Sequence, residues 1–262
     1  MLQITFSQLE TWLALFIWPF TRLTAFIATA PLLGHSSIPV RAKIGMAFVL
    51  TVLISPLLPP LPDAPVLSWA SVGILVEQVL IGLAIGMTMN VVFAAVQAAG
   101  DMIGLQMGLA FASFFSPDTG ANTMILARLL YMIALLLFLA VDGHLVLIQI
   151  LAGSFSLIPI AAFSLDAGGF MMLVDYAGII FSAGLLLALP VLGVLLIINL
   201  AMGILNRSAP QFTVFSVGFP ISLTVGILLF ALLMKDLGGV LVNLFDQGLS
   251  FAQMLLREGL KP

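Results

Sequence analysis

The feature that most constrains this chain is the length of its uninterrupted apolar runs. Residues 129–141 carry one polar group, the Tyr131 hydroxyl, and residues 178–198 carry only Ser182. Backbone N–H and C=O groups cannot stay unpaired in hydrocarbon, so such a run must satisfy them within a helix or a closed barrel. Barrel strands alternate apolar and polar residues; these runs are continuous, and helix follows. Composition agrees. Hydrophobic residues make up 62% of the chain and charged residues 7%, where a soluble domain carries roughly 25% charge. Mean hydropathy is +1.28. The reading is an all-α, polytopic membrane protein in contact with lipid.

Several function classes drop out on the same grounds. A net charge of −3 is not the basic footprint that nucleic acid requires. Without cysteine there is no disulfide, thiolate nucleophile or cysteine-ligated metal. His35 and His144 share no metal-ligand spacing, and no HExxH, Walker A, GxSxG or strand-borne GxGxxG motif is present. Neither a cofactor nor an enzymatic reaction is expected. The first twenty residues lack a basic n-region and carry Glu10, so the first apolar stretch is expected to be a retained span and not a cleaved leader.

Counting about 20 apolar residues per span, six hydrophobic regions stand out: 12–33, 44–58, 66–99, 123–150, 170–205 and 212–234. The breaks between them are the turn at Gly34-His35-Ser36-Ser37, the proline-dense 56–65, a polar stretch holding Asp101, Gln106 and Ser116-Pro117-Asp118-Thr119-Gly120, the Gly/Ser/Pro-punctuated 153–169, and 206–211. The tail, 235–262, changes character. Leu237, Leu241, Leu244, Phe245, Ala252 and Leu255 recur at helical spacing among Asn243, Asp246, Ser250, Gln253 and Arg257, the pattern of an amphipathic helix that lies on a membrane or docks on a partner. No linker suggests a second domain, so 1–262 is read as one membrane domain. Charge places the ends ambiguously: Arg41 and Lys43 favour a cytoplasmic first loop, yet six alternating spans would put Lys235, Arg257 and Lys261 on the opposite side. A bundle of six straight spans therefore fits poorly.

Small residues recur every fourth position in the third region. Gly82 and Gly86 lead to Asn90, Ala94 and Ala98, and a second register runs through Gly100, Gly104, Gly108 and Ala112. Residues four apart share a helix face, and small ones let another backbone approach closely. The groove serves packing within the bundle or a contact with neighbouring subunits. Each helical glycine costs about 1 kcal/mol relative to alanine, so close packing must compensate. Next, Phe111, Phe114 and Phe115 cluster before a Ser-Pro-Asp turn that ends a helix. They either anchor a span or, with the adaptable Met107, form a deformable seal in a pathway.

Charges near apolar runs have two readings. Arg22, Glu77, Asp101, Arg128, Asp142 and Asp175 would each cost about 2.5–3.5 kcal/mol at a span's centre. Arg128 and Asp142 flank the 129–141 run, where interfacial placement suffices. Arg22 and Glu77 lie deeper and need partners. A relay of ions or protons finds little support, because Asp142 and His144 are two apart and do not face each other on a helix. Asp142-Gly143-His144 reads more simply as a helix-end turn.

Together, Ile38-Pro39-Val40-Arg41-Ala42-Lys43, the Gly104-to-Gly108 run continuing to Phe114, Asp142-Gly143-His144-Leu145, and Asn206-Arg207-Ser208-Ala209-Pro210-Gln211 leading to Phe215 and Pro220 resemble the FliR/SctT family of type III export-gate proteins, over essentially the whole chain. The 104–118 and 206–220 stretches are closer to its flagellar branch than to the injectisome branch. The resemblance implies long, kinked helical hairpins, bent at Pro190 and Pro220. It implies one such subunit assembled with FliP-type and FliQ-type subunits and an FlhB-type subunit, in the flagellar basal body at the bacterial inner membrane, with part of the assembly on the periplasmic side. It also implies a pore for unfolded flagellar proteins, plugged by a loop whose matching residues here are Met107, Phe111, Phe114 and Phe115, with energy supplied from outside the chain. The rival readings are an injectisome homologue and a proton-coupled small-molecule transporter using Glu77, Asp101 or Asp142.

Overall fold

Every regular element among the described residues is a helix. A computed structural model describes residues 6–62, 65–66, 68–109, 125–161, 166, 168–208 and 217–260. In chain order the helices are α1 (Phe6–Thr29), α2 (Val40–Ile54), α3 (Trp69–Gln106), α4 (Ile125–Ala140), α5 (Gly143–Leu157), α6 (Gly168–Tyr176), α7 (Ile179–Ser208) and α8 (Phe219–Met254). A 3₁₀ turn, Ser55–Leu57, closes α2, and a π-helical turn, Leu255–Gly259, closes α8. Five stretches are long and apolar enough to cross a membrane, and α4 with α5 makes a sixth if the pair counts as one span. The six regions expected from sequence are thus helical where described, the fourth as the pair α4 and α5 bent by 69°.

Local chemistry explains most ends. Prolines 56, 59, 60, 62 and 65 remove the donors that would continue α2. Between α4 and α5 the chain turns at Asp142, whose φ of 56° puts a non-glycine residue in the left-handed region; its carbonyl accepts the N–H groups of Leu145 and Val146. That is the expected helix-end turn. α6 gives way to α7 at Gly178, whose carbonyl accepts from Phe181 and Ser182.

Two boundaries differ from expectation. Asp101 and Gln106 belong to α3 and not to a loop, because nothing after Ala99 interrupts the backbone ladder until Met107. The sixth region and the amphipathic tail are one helix, α8. Gly238 and Gly239 do not break it, since neither is forced out of helical φ and the flanking Leu237 and Leu241 are buried. The tail's apolar stripe is realised as read: Leu244, Phe245, Ala252 and Leu255 are buried while Asn243, Asp246, Ser250, Gln253 and Arg257 are exposed.

Two compact units divide the chain: Met1–Val91 with Asp142–Ala177 and Asp246–Pro262, and Val92–Val141 with Gly178–Phe245. Both are discontinuous in sequence, and α3 and α8 each contribute to both.

In the first unit α1, α2 and the early part of α3 lie side by side. Trp18 meets Ser71, Arg22 meets Gln78, and the backbone at Gly82 and Gly86 faces Phe26 and Thr29. These contacts advance together along both helices, so α1 and α3 run parallel. α2 returns antiparallel, with Phe48 against Phe16, the Ser55 hydroxyl on the Leu15 carbonyl, and Lys43 Nζ on the Gly34 carbonyl. The tail closes against α6: Tyr176 stacks on Phe251 at 3.8 Å, and Gly169 faces the Gly259 backbone.

The second unit is built on rings. Phe93 of α3 stacks on Phe245 of α8 at 5.6 Å and meets Phe138 of α4 edge-on at 5.6 Å, while Phe138 and Phe245 stand 5.1 Å apart. Such geometries add about 0.5–1.5 kcal/mol per pair beyond burial. Close backbone approaches complete it, with Gly100 facing Ala127 of α4 and Gly184 of α7 facing the Ala95 carbonyl and Ala98. Phe93→Ala should therefore lower the melting temperature of the detergent-purified protein, reflecting a loss of about 3–5 kcal/mol, whereas Phe181→Ala, at a position 72% exposed, should leave it nearly unchanged.

Candidate functional site

Sequence placed six charges in or beside the spans, and the structure gathers two of them. Arg22 is fully buried on α1. Its Nε donates to Gln78 Oε1 at 2.8 Å, Nη1 to the Ser154 hydroxyl at 3.0 Å, and Nη2 to the Ile158 carbonyl at 3.0 Å. The guanidinium also lies 4.2 Å over the Phe155 ring. Glu77, itself buried, acts on this cation through its charge. One side chain thus joins α1, α3 and the C-terminal end of α5, where a helix leaves carbonyls unsatisfied. The planar, multi-donor guanidinium suits this better than an ammonium would. Nearby, Trp18 Nε1 donates to the Ser71 hydroxyl at 3.2 Å, both residues being buried.

The remaining charges are less buried, Asp175 being exposed on α6. Asp101 is half-buried on α3, and Arg128 on α4 and Asp142 at its turn are exposed. Gln78, Ser154, Trp18 and Ser71 were not singled out from sequence. Gln78, Ser154 and Ser71 signalled themselves only by interrupting an apolar run and Trp18 not at all, and separations of 56 and 132 residues hide such partnerships from any local pattern.

The glycines sort by what occupies their missing side chains. A Cβ on Gly82 would meet the Arg22 carbonyl, one on Gly86 the Thr29 hydroxyl, and one on Gly100 the Ala127 backbone. These three faces are filled by helices of the same chain. Gly104 is buried. Gly108 does something different: its φ is 81°, its N–H donates to the Leu105 carbonyl at 3.0 Å, and the Leu109 N–H reaches back to the Gly104 carbonyl at 2.9 Å. This is a Schellman cap, in which the left-handed residue is normally glycine. Gly108 ends α3.

Met107, directly before that cap, is 1% exposed and rests against Gly226 of α8, whose absent Cβ would lie 2.5 Å from the Met107 Cγ. Beside it a hollow of 270 Å³ is lined by Gln106, Met107, Gly108, Asn199, Gly203 and Ser222 among others, with the Ser222 hydroxyl donating to Asn199 Oδ1 at 3.0 Å. Of the four residues read as a seal, only Met107 can be placed; Phe111, Phe114 and Phe115 lie outside the described residues. Pro190 stands within α7, and Pro220 within α8, just after the π-helical Val217 and Gly218.

These features define an integral membrane protein of long apolar helices whose innermost polar groups bind its own helices together. Among the described residues no cluster of histidine and carboxylate could hold a metal ion. Comparison with known proteins is more specific. Residues 13–248 match the family described as bacterial export proteins, family 1, and the chain belongs to it. It is 47% identical over 247 residues to the flagellar biosynthetic protein FliR of Escherichia coli (strain K12), covering 94% of both chains. It is 46% identical over 246 residues to the FliR of Pectobacterium carotovorum subsp. carotovorum, covering 93% of this chain and 94% of the relative. Identity to the FliR of Bacillus subtilis (strain 168) is 29% over 245 residues.

Two outcomes are expected. Arg22→Met leaves Glu77 buried without its cation and should cost roughly 3–5 kcal/mol, seen as reduced accumulation in the membrane and a lower melting temperature; the double variant Arg22→Met/Glu77→Gln should recover part of that loss. At the cap, Gly108→Asn should be tolerated far better than Gly108→Val, because asparagine enters the left-handed region at little cost and a β-branched residue does not. Limited proteolysis at the end of α3 would report the difference.

Proposed function

We propose that this chain is a channel-forming subunit of the flagellar type III export gate, through which unfolded flagellar proteins cross the bacterial inner membrane. The observation that carries the proposal is the near-full-length similarity to proteins named for flagellar biosynthesis. In this reading it assembles with FliP-type, FliQ-type and FlhB-type subunits in the basal body, partly on the periplasmic side, and catalyses no reaction itself. Apolar side chains exposed along α2 and α7, such as Phe48, Leu53, Leu186, Ile197 and Leu200, suit lipid or sister helices.

Closure of the pore is assigned to the segment after α3. Met107 and the Gly108 cap hold its origin, and Phe111, Phe114 and Phe115 supply rings large enough to obstruct a passage. A proton-coupled transporter is less well supported, because Glu77 lies buried within the field of Arg22 and Asp142 stands at an exposed turn. The flagellar branch is favoured over the injectisome branch by the relatives' names.

Deleting residues 110–116 should raise leakage of small solutes across the membrane of cells carrying the assembled gate; an unchanged leak would remove the plug role. Affinity purification through this chain in mild detergent should bring down FliP- and FliQ-type subunits. Recovery of a monodisperse chain that alone drives solute uptake in liposomes would overturn the proposal.

A further inference from the structure

Three helices of the second unit meet where α3 ends. Early in its course through that unit, α3 passes α7 at Gly184 and α8 at the Phe93–Phe245 stack. Further along, Met107 fits the notch at Gly226, which comes earlier in α8 than Phe245. α8 therefore runs antiparallel to α3. Asn199, Met202 and Gly203, later in α7 than Gly184, line the hollow beside Met107, so α7 runs parallel to α3. At this level α7 and α8 are antiparallel neighbours, and a hydrogen bond joins them: the Ser222 hydroxyl donates to Asn199 Oδ1 at 3.0 Å.

That bond is unusual for its surroundings. From 183 to 205, Asn199 is the single residue with a polar side chain. Hydroxyls in apolar helices commonly bond the carbonyl of the preceding turn. Thr224 does so, donating to the Pro220 carbonyl at 2.8 Å, and Ser182 and Ser208 donate to Gly178 and Ile204. Ser222, only 4% exposed, instead crosses to the other helix.

Its level explains what it can do. Gly226 follows Ser222 by one turn and shares its face. Across an antiparallel pair, the same step brings the fully buried Leu195 level with Gly226, and the opposite step pairs Gly203 with Gly218, both of which line the hollow. Apolar contacts are non-directional and resist a one-turn slide poorly. Such a slide would carry the Asn199 amide to the notch that Met107 fills.

We propose that Asn199 and Ser222 are positioning residues: their hydrogen bond sets the register of α7 against α8 and so keeps the Gly226 notch in place for Met107. This rests on the reading above, in which Met107 stands at the origin of the closing segment. Neither residue obstructs a passage itself; both act through the seat of Met107. The bond lies within one chain, so its effect does not depend on what covers the outer faces of α7 and α8.

Because the chain has no cysteine, Met107→Cys in the full-length protein reports on its own seat. In membranes carrying the assembled gate, N-ethylmaleimide should label this buried thiol slowly. Adding Asn199→Leu or Ser222→Ala should speed labelling roughly two- to tenfold, the weight of one hydrogen bond. Adding Ser222→Thr, which keeps the hydroxyl, should leave the rate near the reference. An unchanged rate with Ser222→Ala, or an equal rise with Ser222→Thr, would overturn the proposal. Co-purification of FliP- and FliQ-type subunits checks assembly, and if Asn199→Leu fails to assemble, the Ser222 variants decide by themselves. Without the reporter cysteine, Ser222→Ala should also raise small-solute leakage, though less than deletion of 110–116. A leak in the deletion strain with none in Ser222→Ala would overturn the positioning role and leave the plug standing. No leak in either strain would remove the plug role, and the labelling rates alone would then decide whether the bond holds the seat of Met107.

Discussion

The buried guanidinium of Arg22 is the interaction on which the rest of the first unit depends. A cation in such surroundings is tolerable only when its donors are satisfied and its charge is answered. Here three donors meet Gln78, Ser154 and the Ile158 carbonyl, the flat face meets Phe155, and Glu77 supplies the opposing charge. Those partners sit on α3, on α5 and just past its end. The positions of three helices are therefore set by one residue that is costly to leave unsatisfied, which gives specificity where lipid-like apolar surface gives little. Without a hydrophobic drive between helices in a bilayer, such polar ties and close backbone contacts have to define the packing.

Glycine completes that logic. α1 approaches α3 at Gly82 and Gly86, directly beside the Arg22 tie, so the arginine sets the register and the glycines set the distance. In the second unit the same division falls to the Phe93, Phe138 and Phe245 rings and to Gly100, Gly184 and Gly226. The end of α3 shows how one residue type serves two purposes within a few positions. Gly100 admits a neighbouring helix, whereas Gly108 admits a left-handed backbone.

These arrangements bear on the export function in a simple way. Among the described residues, the buried charges Arg22 and Glu77 serve the cohesion of the first unit. The Schellman cap at Gly108 and the seat of Met107 on Gly226 give the segment that follows α3 a defined starting point.

Much of this was legible in the amino-acid order. Continuous apolar runs dictated membrane helices, because hydrocarbon leaves the backbone no other way to satisfy itself. The proline-dense stretch marked the end of α2, the Asp142 turn marked a break, and the tail's spacing marked an amphipathic stripe. Arg22 and Glu77 could be named as needing partners. Which partners could not be read, since Gln78 and Ser154 are 56 and 132 residues away and only folding brings them within 3 Å. The glycine stripe announced close packing without saying against what, because a missing side chain carries no information about its neighbour. The extension of α3 through Asp101 and the fusion of the sixth region with the tail were likewise decided by burial, which outweighs local polarity and glycine content. Sequence settled the solvent and the kind of element; tertiary structure alone decided the pairings, because each is an agreement between distant residues.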